Sequence, residues 1–409
     1  MKVLKLSILL SLLSSSVLFS NENNASLDSY ISELKQKQFG YDYQKNEAES
    51  SKLRDSWIAP LHLNYSYSKS KPYTKEQTNQ SAAIRMDQPI FQSGGIYYGI
   101  KFANASKRYS DYSIDVAKRK MIKEAIAILM QIKQYSLKIE AQRLQIVNAD
   151  INLEQKKEQY LNGQLDSGFL DNAIIQRNIV RSALYDIETI KEKLITQFST
   201  LSDLDYKVAK IPHLEYIELD AFIEHNIVLK QNDAKIAKDD YMKNVTVAKY
   251  LPKINFTAGY NWSKNEGQQL VANNTPVDTS DEKDYYDYGV RFSMPLDINT
   301  FRDIESVKVD YLKSQVLRVD KKRELEALFA QVFHNIENYD KKIALSNENI
   351  ELYTKLSEDT ERLYSAGYKT EYDVNTLKNS LKIQEIDTKI YEIDKQLELL
   401  NLYEMYVNN

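Results

Sequence analysis

The chain has 409 residues, 27% of them charged, with a formal net charge of −4, ten glycines, seven prolines, thirty tyrosines and no cysteine. That balance excludes a disulfide scaffold and a thiolate metal site, and it gives no electrostatic footprint for a nucleic-acid partner. Scarce Gly and Pro beside abundant Lys, Glu, Asp, Leu and Ile is the composition of long helices and coiled coils. Abundant tyrosine suits surfaces that are apolar on one side and wet at the other.

In chain order, Lys2 and Lys5 precede an apolar, Ser-spaced run from Leu6 to Phe19. The run is too short to span a bilayer as a helix and is expected to be a secretory signal over residues 1–20, with a retained anchor as the alternative. Nothing after it approaches the ~18 consecutive apolar residues of a membrane helix. Any further passage through a membrane therefore has to be a β-barrel.

Helical periodicity and turn signals predict the same order twice, over 21–211 and 212–409. The first repeat reads helix 26–56, strands near 60–68 and 82–89, a long helix 96–161, a tip near 162–171 and a helix 170–201. The second reads helix 217–249, strands near 253–263 and 285–295, a long helix 301–365, a tip near 366–373 and a helix 371–406. Every proline falls outside these helices, as unbroken helices require. Each long helix is expected to span roughly 100 Å, and the others about half that, at 1.5 Å per residue. Two half-length helices stacked end to end match one long helix, which predicts a wall of alternating whole and divided rods.

The strands alternate with period two. Leu61, Leu63, Tyr65 and Tyr67 are interleaved with His62, Asn64, Ser66 and Ser68, and Ile84 and Met86 with Arg85 and Asp87. In the second repeat Ile254, Phe256, Ala258, Tyr260 and Trp262, then Tyr286, Tyr288, Val290, Phe292 and Met294, alternate with polar residues or Gly. A membrane barrel has this pattern, and so does a soluble sheet with one wet face; the preceding signal favours the barrel. The intervening stretches 69–81 and 265–284 read as exposed polar loops. Four strands cannot close a barrel without an open edge in lipid. The expected assembly is a homotrimer: a 12-strand barrel continued by a ring of twelve helical rods.

At the far end, Tyr160 precedes Gly163 by three residues and Tyr364 precedes Gly367 by three. Each Gly is placed to end its helix in the left-handed conformation. Thr370 and Asp373 read as an N-cap and its third-position partner, and Asp166 or Ser167 as the other cap, ahead of Gly168. Three copies of each turn also bring Asp171 and Asp373 to one mouth, where acidic rings favour cations; capping and gating can coexist. Asp150 is expected to be solvated.

Duplicated halves, two strands per half and Gly-bearing tips followed by Asp make the chain resemble the TolC family of outer-membrane ducts over its whole mature length. The resemblance implies a trimer in the outer membrane with a long periplasmic α-barrel. It also implies a tip closed at rest and opened by a membrane-fusion adaptor and an inner-membrane transporter, and no catalysis or cofactor. Tyr364, Lys369 and Asp373 match the family's gate positions, with Asp171 a candidate from the first turn. Three residues depart from the pattern. Lys369 replaces an Arg and lacks its bidentate fork, and Thr376 stands where a second acid is often found. Asp171 lies eight residues past Gly163, whereas Asp373 lies six past Gly367. Many drug-efflux members are lipidated on an N-terminal Cys, which this chain lacks.

The leading expectation is a passive exit duct for small-molecule efflux; the exit duct of a type I protein-secretion system shares the same fold. A periplasmic coiled-coil structural protein is the reading from another class. An enzyme is disfavoured: His62, His213, His225 and His334 are scattered, and no metalloprotease, phosphate-loop or nucleophile-elbow motif occurs.

Overall fold

The computed structural model describes residues 25–71, 76–272 and 275–407, so the expected signal lies outside the described residues. Its elements are α1 Ala25–Asp28, α2 Glu33–Arg54, β1 His62–Ser70, β2 Gln77–Phe91, α3 Gly95–Leu161, α4 Ser167–Leu201, α5 Leu219–Glu224, α6 Ile227–Lys249, β3 Lys253–Ala272, β4 Thr275–Ser293, α7 Thr300–Ser365 and α8 Glu371–Tyr403.

The helices form a wall four rods wide. α3, with 67 residues, and α7, with 66, run its full length of about 100 Å. α6 and α8 pack between them, and α2 and α4 line the other flank of α3. The divided rods are joined end to end by hydrogen bonds from backbone amides. Where α4 ends, the Ser32 amide donates to the Leu201 carbonyl (2.8 Å) and the Glu33 amide to Asp203 Oδ2 (2.9 Å), which starts α2. Where α8 ends, Ile227 N donates to Met405 O (2.9 Å) and Val407 N to His225 O (3.1 Å), which starts α6. Helix ends leave unpaired N–H and C=O groups, and each joint satisfies one helix's orphans with its neighbour's.

These joints correct two expected helices. The helix read over 26–56 is divided because Ser32 turns extended and caps α2, its hydroxyl accepting from Lys35 N. The helix read over 217–249 is divided at His225–Asn226, where fully buried Asn226 caps α6 and bridges to Tyr406. Periodicity runs straight through both breaks, so pattern alone does not reveal them.

Both joints sit on the main core. Ile122, Ile126 and Met130 of α3, Phe222 of α5, Leu325 and Val332 of α7, and Leu399 and Leu402 of α8 pack into one cluster with Ile31 and Leu229. Toward the tips the core thins to Ala141 of α3 against Ile386 and Ile390 of α8. The wall is therefore clamped near the helix junctions and lightly packed beyond them.

The four strands form one antiparallel sheet in the order β1-β2-β3-β4, the two hairpins joined by β2–β3 pairing. β3 and β4 reach 20 and 19 residues, so most of the stretch read as the loop 265–284 is strand. Its polar residues pair across the hairpin, Asn265 with Asp281 and Gln268 with Thr279, and polar content alone does not distinguish a solvated ribbon from a loop.

Candidate functional site

Register decides what the sheet's faces are. Leu63 pairs with Ile84 and Ile84 with Tyr260, which pairs with Tyr286. Met86, Ala258 and Tyr288 form a second such row, and Phe256 with Val290 a third. The apolar residues of all four strands thus share one face. The band on β3 runs from Ile254 to Trp262, close to the 9–11 residues a tilted strand needs to cross a bilayer.

The other face is polar and internally bonded. Arg85 donates to Asn261 Oδ1 (3.1 Å), and Asn261 donates to Asp287 Oδ1 (2.8 Å). Asp87 accepts from Asn255 (2.8 Å) and Arg291 (2.9 Å). A Cβ at Gly259 would stand 2.8 Å from Asp287 Oδ1, so a larger residue there would shift that carboxylate. Cations and anions alternate, so this face presents a mixed surface without one strong field.

At the opposite end the two tips share one backbone design. Gly163 (φ +75°) and Gly367 (φ +81°) are left-handed. Gln164 N donates to Gln159 O and Gly163 N to Tyr160 O; likewise Tyr368 N donates to Leu363 O and Gly367 N to Tyr364 O. Both are full Schellman closures. Three residues after each Gly comes the N-cap, Asp166 for α4 and Thr370 for α8. The two turns are thus equal in length, and the wider spacing to Asp171 arises inside α4. Asp373 is the third residue of its helix and Asp171 the fifth, so the two acids are not equivalent positions.

The gate candidates sit together in sequence but are not linked side chain to side chain in this protomer. Asp373 Oδ2 accepts from Thr370 N and Thr370 Oγ1, both at 2.9 Å, completing a capping box. The Thr370 amide, its hydroxyl and the Lys369 charge hold the Asp373 carboxyl below its ordinary range. Tyr364 is 45% exposed and no hydrogen bond ties it to Asp373 or Asp171; Asp171 is exposed. The contact that joins the tips is one the sequence does not announce. Tyr372 at the start of α8 donates to Glu158 Oε1 at the end of α3 (3.2 Å), and the Glu158 charge raises the Tyr372 pKa. Asn379 Nδ2 to Asn148 Oδ1 (2.8 Å) repeats the cross-link farther up. Asp150, expected to be solvated, has a side chain 45% exposed and also accepts from Arg177 Nε (2.8 Å), which fastens α4 to α3. These partners lie on different helices, so only helix order could have revealed them.

Asp373 yields a pH prediction. Its depressed carboxyl stabilises the first turn of α8 fully above the ordinary aspartate pKa of about 3.9, and that stability is lost as pH falls below it. Asp373→Ala removes the third-position half of the capping box and is expected to loosen the first turn of α8 and to abolish this acid dependence. Hydrogen exchange at the first α8 amides between neutral and acid pH measures both.

A single sheet with one apolar and one polar face is carried on a wall of helices about 100 Å long, and this fold is shared with solved outer membrane proteins. No protein-family model matches the sequence, and no curated protein does. Solved structures match over nearly the whole chain. The CmeC outer membrane channel of Campylobacter jejuni is similar at TM-score 0.70 and 12% identity, over 93% of this chain and 84% of that one. The outer membrane protein VceC of Vibrio cholerae gives 0.71 and 12%, over 94% and 96%. The open-state MtrE outer membrane channel of Neisseria gonorrhoeae gives 0.63 and 10%, over 93% and 87%. The TolC-family resemblance holds at the level of fold, and two of these three neighbours are outer membrane channels.

Proposed function

We propose that the protein is a passive, trimeric exit duct of the outer membrane. In this reading it serves small-molecule efflux, fed by a periplasmic adaptor and an inner-membrane transporter. The observation that carries the reading is that sheet and wall are both open at both edges. Among the described residues, β1 pairs only with β2 and β4 only with β3. An unpaired strand edge is untenable in lipid. The wall edges are likewise unfinished: α7 exposes Val309, Val316, Leu345, Leu352 and Leu363, and α4 exposes Ile175 and Ile179. These lie at helical spacings suited to a neighbouring rod. Three copies make a twelve-strand barrel, within the known range, and a twelve-rod tube.

The lumen carries polar, mixed-charge residues, consistent with a conduit that selects weakly. At the tip, Tyr364, Lys369, Asp373 and Asp171 form the proposed gate. Among the described residues the Tyr364 and Lys369 side chains make no hydrogen bond or ion-pair contact and can bond across the mouth, while Asp373 keeps its cap and adds negative charge to the ring. Tyr364→Phe and Lys369→Ala are expected to raise single-channel conductance in planar bilayers several-fold. Unchanged conductance in both variants removes these residues from the gate. The chemistry carried is tested by deletion: increased sensitivity to small toxic compounds with normal protein export supports efflux, and loss of an exported protein alone supports type I secretion.

A further inference from the structure

The two repeats differ where strand gives way to helix. β2 passes into α3 through Gln92, Ser93 and Gly94, whereas β4 passes into α7 through Met294–Asn299, twice the length. Within this longer passage the outward alternation of Tyr288, Val290 and Phe292 continues through Met294, Leu296 and Ile298. Leu296 is 90% exposed, Ile298 91% and Phe301 84%, the greatest exposures of any large apolar side chains among the described residues. The loop that carries them is ordered by its own bonds. Asp297 Oδ1 accepts from Asn299 N (2.8 Å), and Asp297 O accepts from both Thr300 N (3.1 Å) and Thr300 Oγ1 (2.6 Å). Tyr250, bonded to Asp303 at the start of α7, backs an open hollow of about 400 Å³ against it.

The other edge of the protomer carries a matching feature. The link from α2 to β1 exposes Ile58 (54%), Leu61 (70%) and part of Trp57 (37%). Its backbone is held by Gln88, which donates to Trp57 O (3.1 Å) and accepts from Ala59 N (3.0 Å). Leu296 and Ile298 join an open strand, β4, to an open rod, α7; Trp57 and Ile58 join an open rod, α2, to an open strand, β1. Both links lie at the foot of the sheet.

We propose that residues 294–301 form an apolar clasp that receives Trp57, Ile58 and Leu61 of a second copy of this chain, closing the seam at the sheet–helix boundary. The proposal rests on the duct reading and names the contact that fixes one copy to the next. A lipid surface is the competing occupant. Continuity with the outward face alone fits lipid, but a matched apolar link on the complementary edge, at the same level, fits a second copy better. The parity of the pattern adds a constraint: apolar residues of β4 carry even numbers and those of β1 odd numbers, so β4–β1 pairing across the seam matches residues whose numbers sum to an odd value.

The chain has no cysteine, which makes the test clean. Leu296→Cys and, separately, Ile298→Cys carry a benzophenone in full-length protein in outer-membrane vesicles, with oligomer mass measured on the same samples. The expected result is an adduct of two copies on irradiation, mapping by mass spectrometry to residues 55–61 of the second. Trimers that yield only lipid adducts, or only adducts within one chain, overturn the clasp and leave the duct standing. Protein that is monomeric before irradiation overturns the duct and the clasp with it. Two labelled positions guard against one variant failing to assemble.

Discussion

Tyr288→Arg is expected to abolish assembly in the outer membrane, whereas Tyr285→Arg is tolerated. The two tyrosines lie three residues apart on β4, are both exposed (74% and 57%), and stand on opposite faces. Tyr288 pairs with Ala258 in an apolar row, and Tyr285 pairs with Asn261 on the polar face. An arginine at the bilayer midplane of a barrel costs about 2–4 kcal/mol, and in a trimer the cost is incurred three times. Facing the lumen, the same guanidinium stays hydrated. Fractionation and heat-modifiable mobility on gels measure the difference. Equal loss in both variants would mean that register does not separate a lipid face from a lumen face.

The second large effect is at the clamp. Phe222→Ala is expected to destabilise the protein by about 3–5 kcal/mol, the usual cost of emptying a fully buried aromatic site. Phe222 is 0% exposed and packs on Phe329 of α7 with ring centroids 5.7 Å apart. It lies just before the His225–Asn226 break that joins α6 to α8, so the cavity opens beside a joint held by few hydrogen bonds. The equivalent truncation nearer the tip, Ile390→Ala, meets a thinner core and should cost less, about 2–3 kcal/mol at the lower end of the aliphatic range. Thermal unfolding of both variants, compared at equal oligomer concentration, gives the ranking. A larger loss at Ile390 would show that the tip region, and not the junction belt, carries the wall.

Much of this architecture was legible because two periodicities carry it. Period-two alternation in Ile254–Trp262 and Tyr286–Met294 located strands and assigned their faces, and the pairing register brings those faces together. The helical pattern of Ile122, Ile126, Leu129 and Ile132 did the same for the core side of α3. The joints were not legible, because Ser32 and Asn226 break helices through bonds to Leu201 and Tyr406 that lie far away in sequence. The tip was half legible. Gly163, Gly367, Thr370 and Asp373 act locally, and their spacing announced them. Tyr372–Glu158 and Arg177–Asp150 depend on which helices lie side by side. The unequal spacings of Asp171 and Asp373 from their glycines suggested a longer first turn, but the caps show equal turns, and the two extra residues lie inside α4.

The most direct test is the mass and shape of the detergent-purified protein, by light scattering and electron microscopy. The duct account predicts three copies in a single rod, somewhat longer than its ~100 Å helical part, with a barrel-wide collar at one end. A monomer, or a slender two-chain coil without a collar, would contradict it.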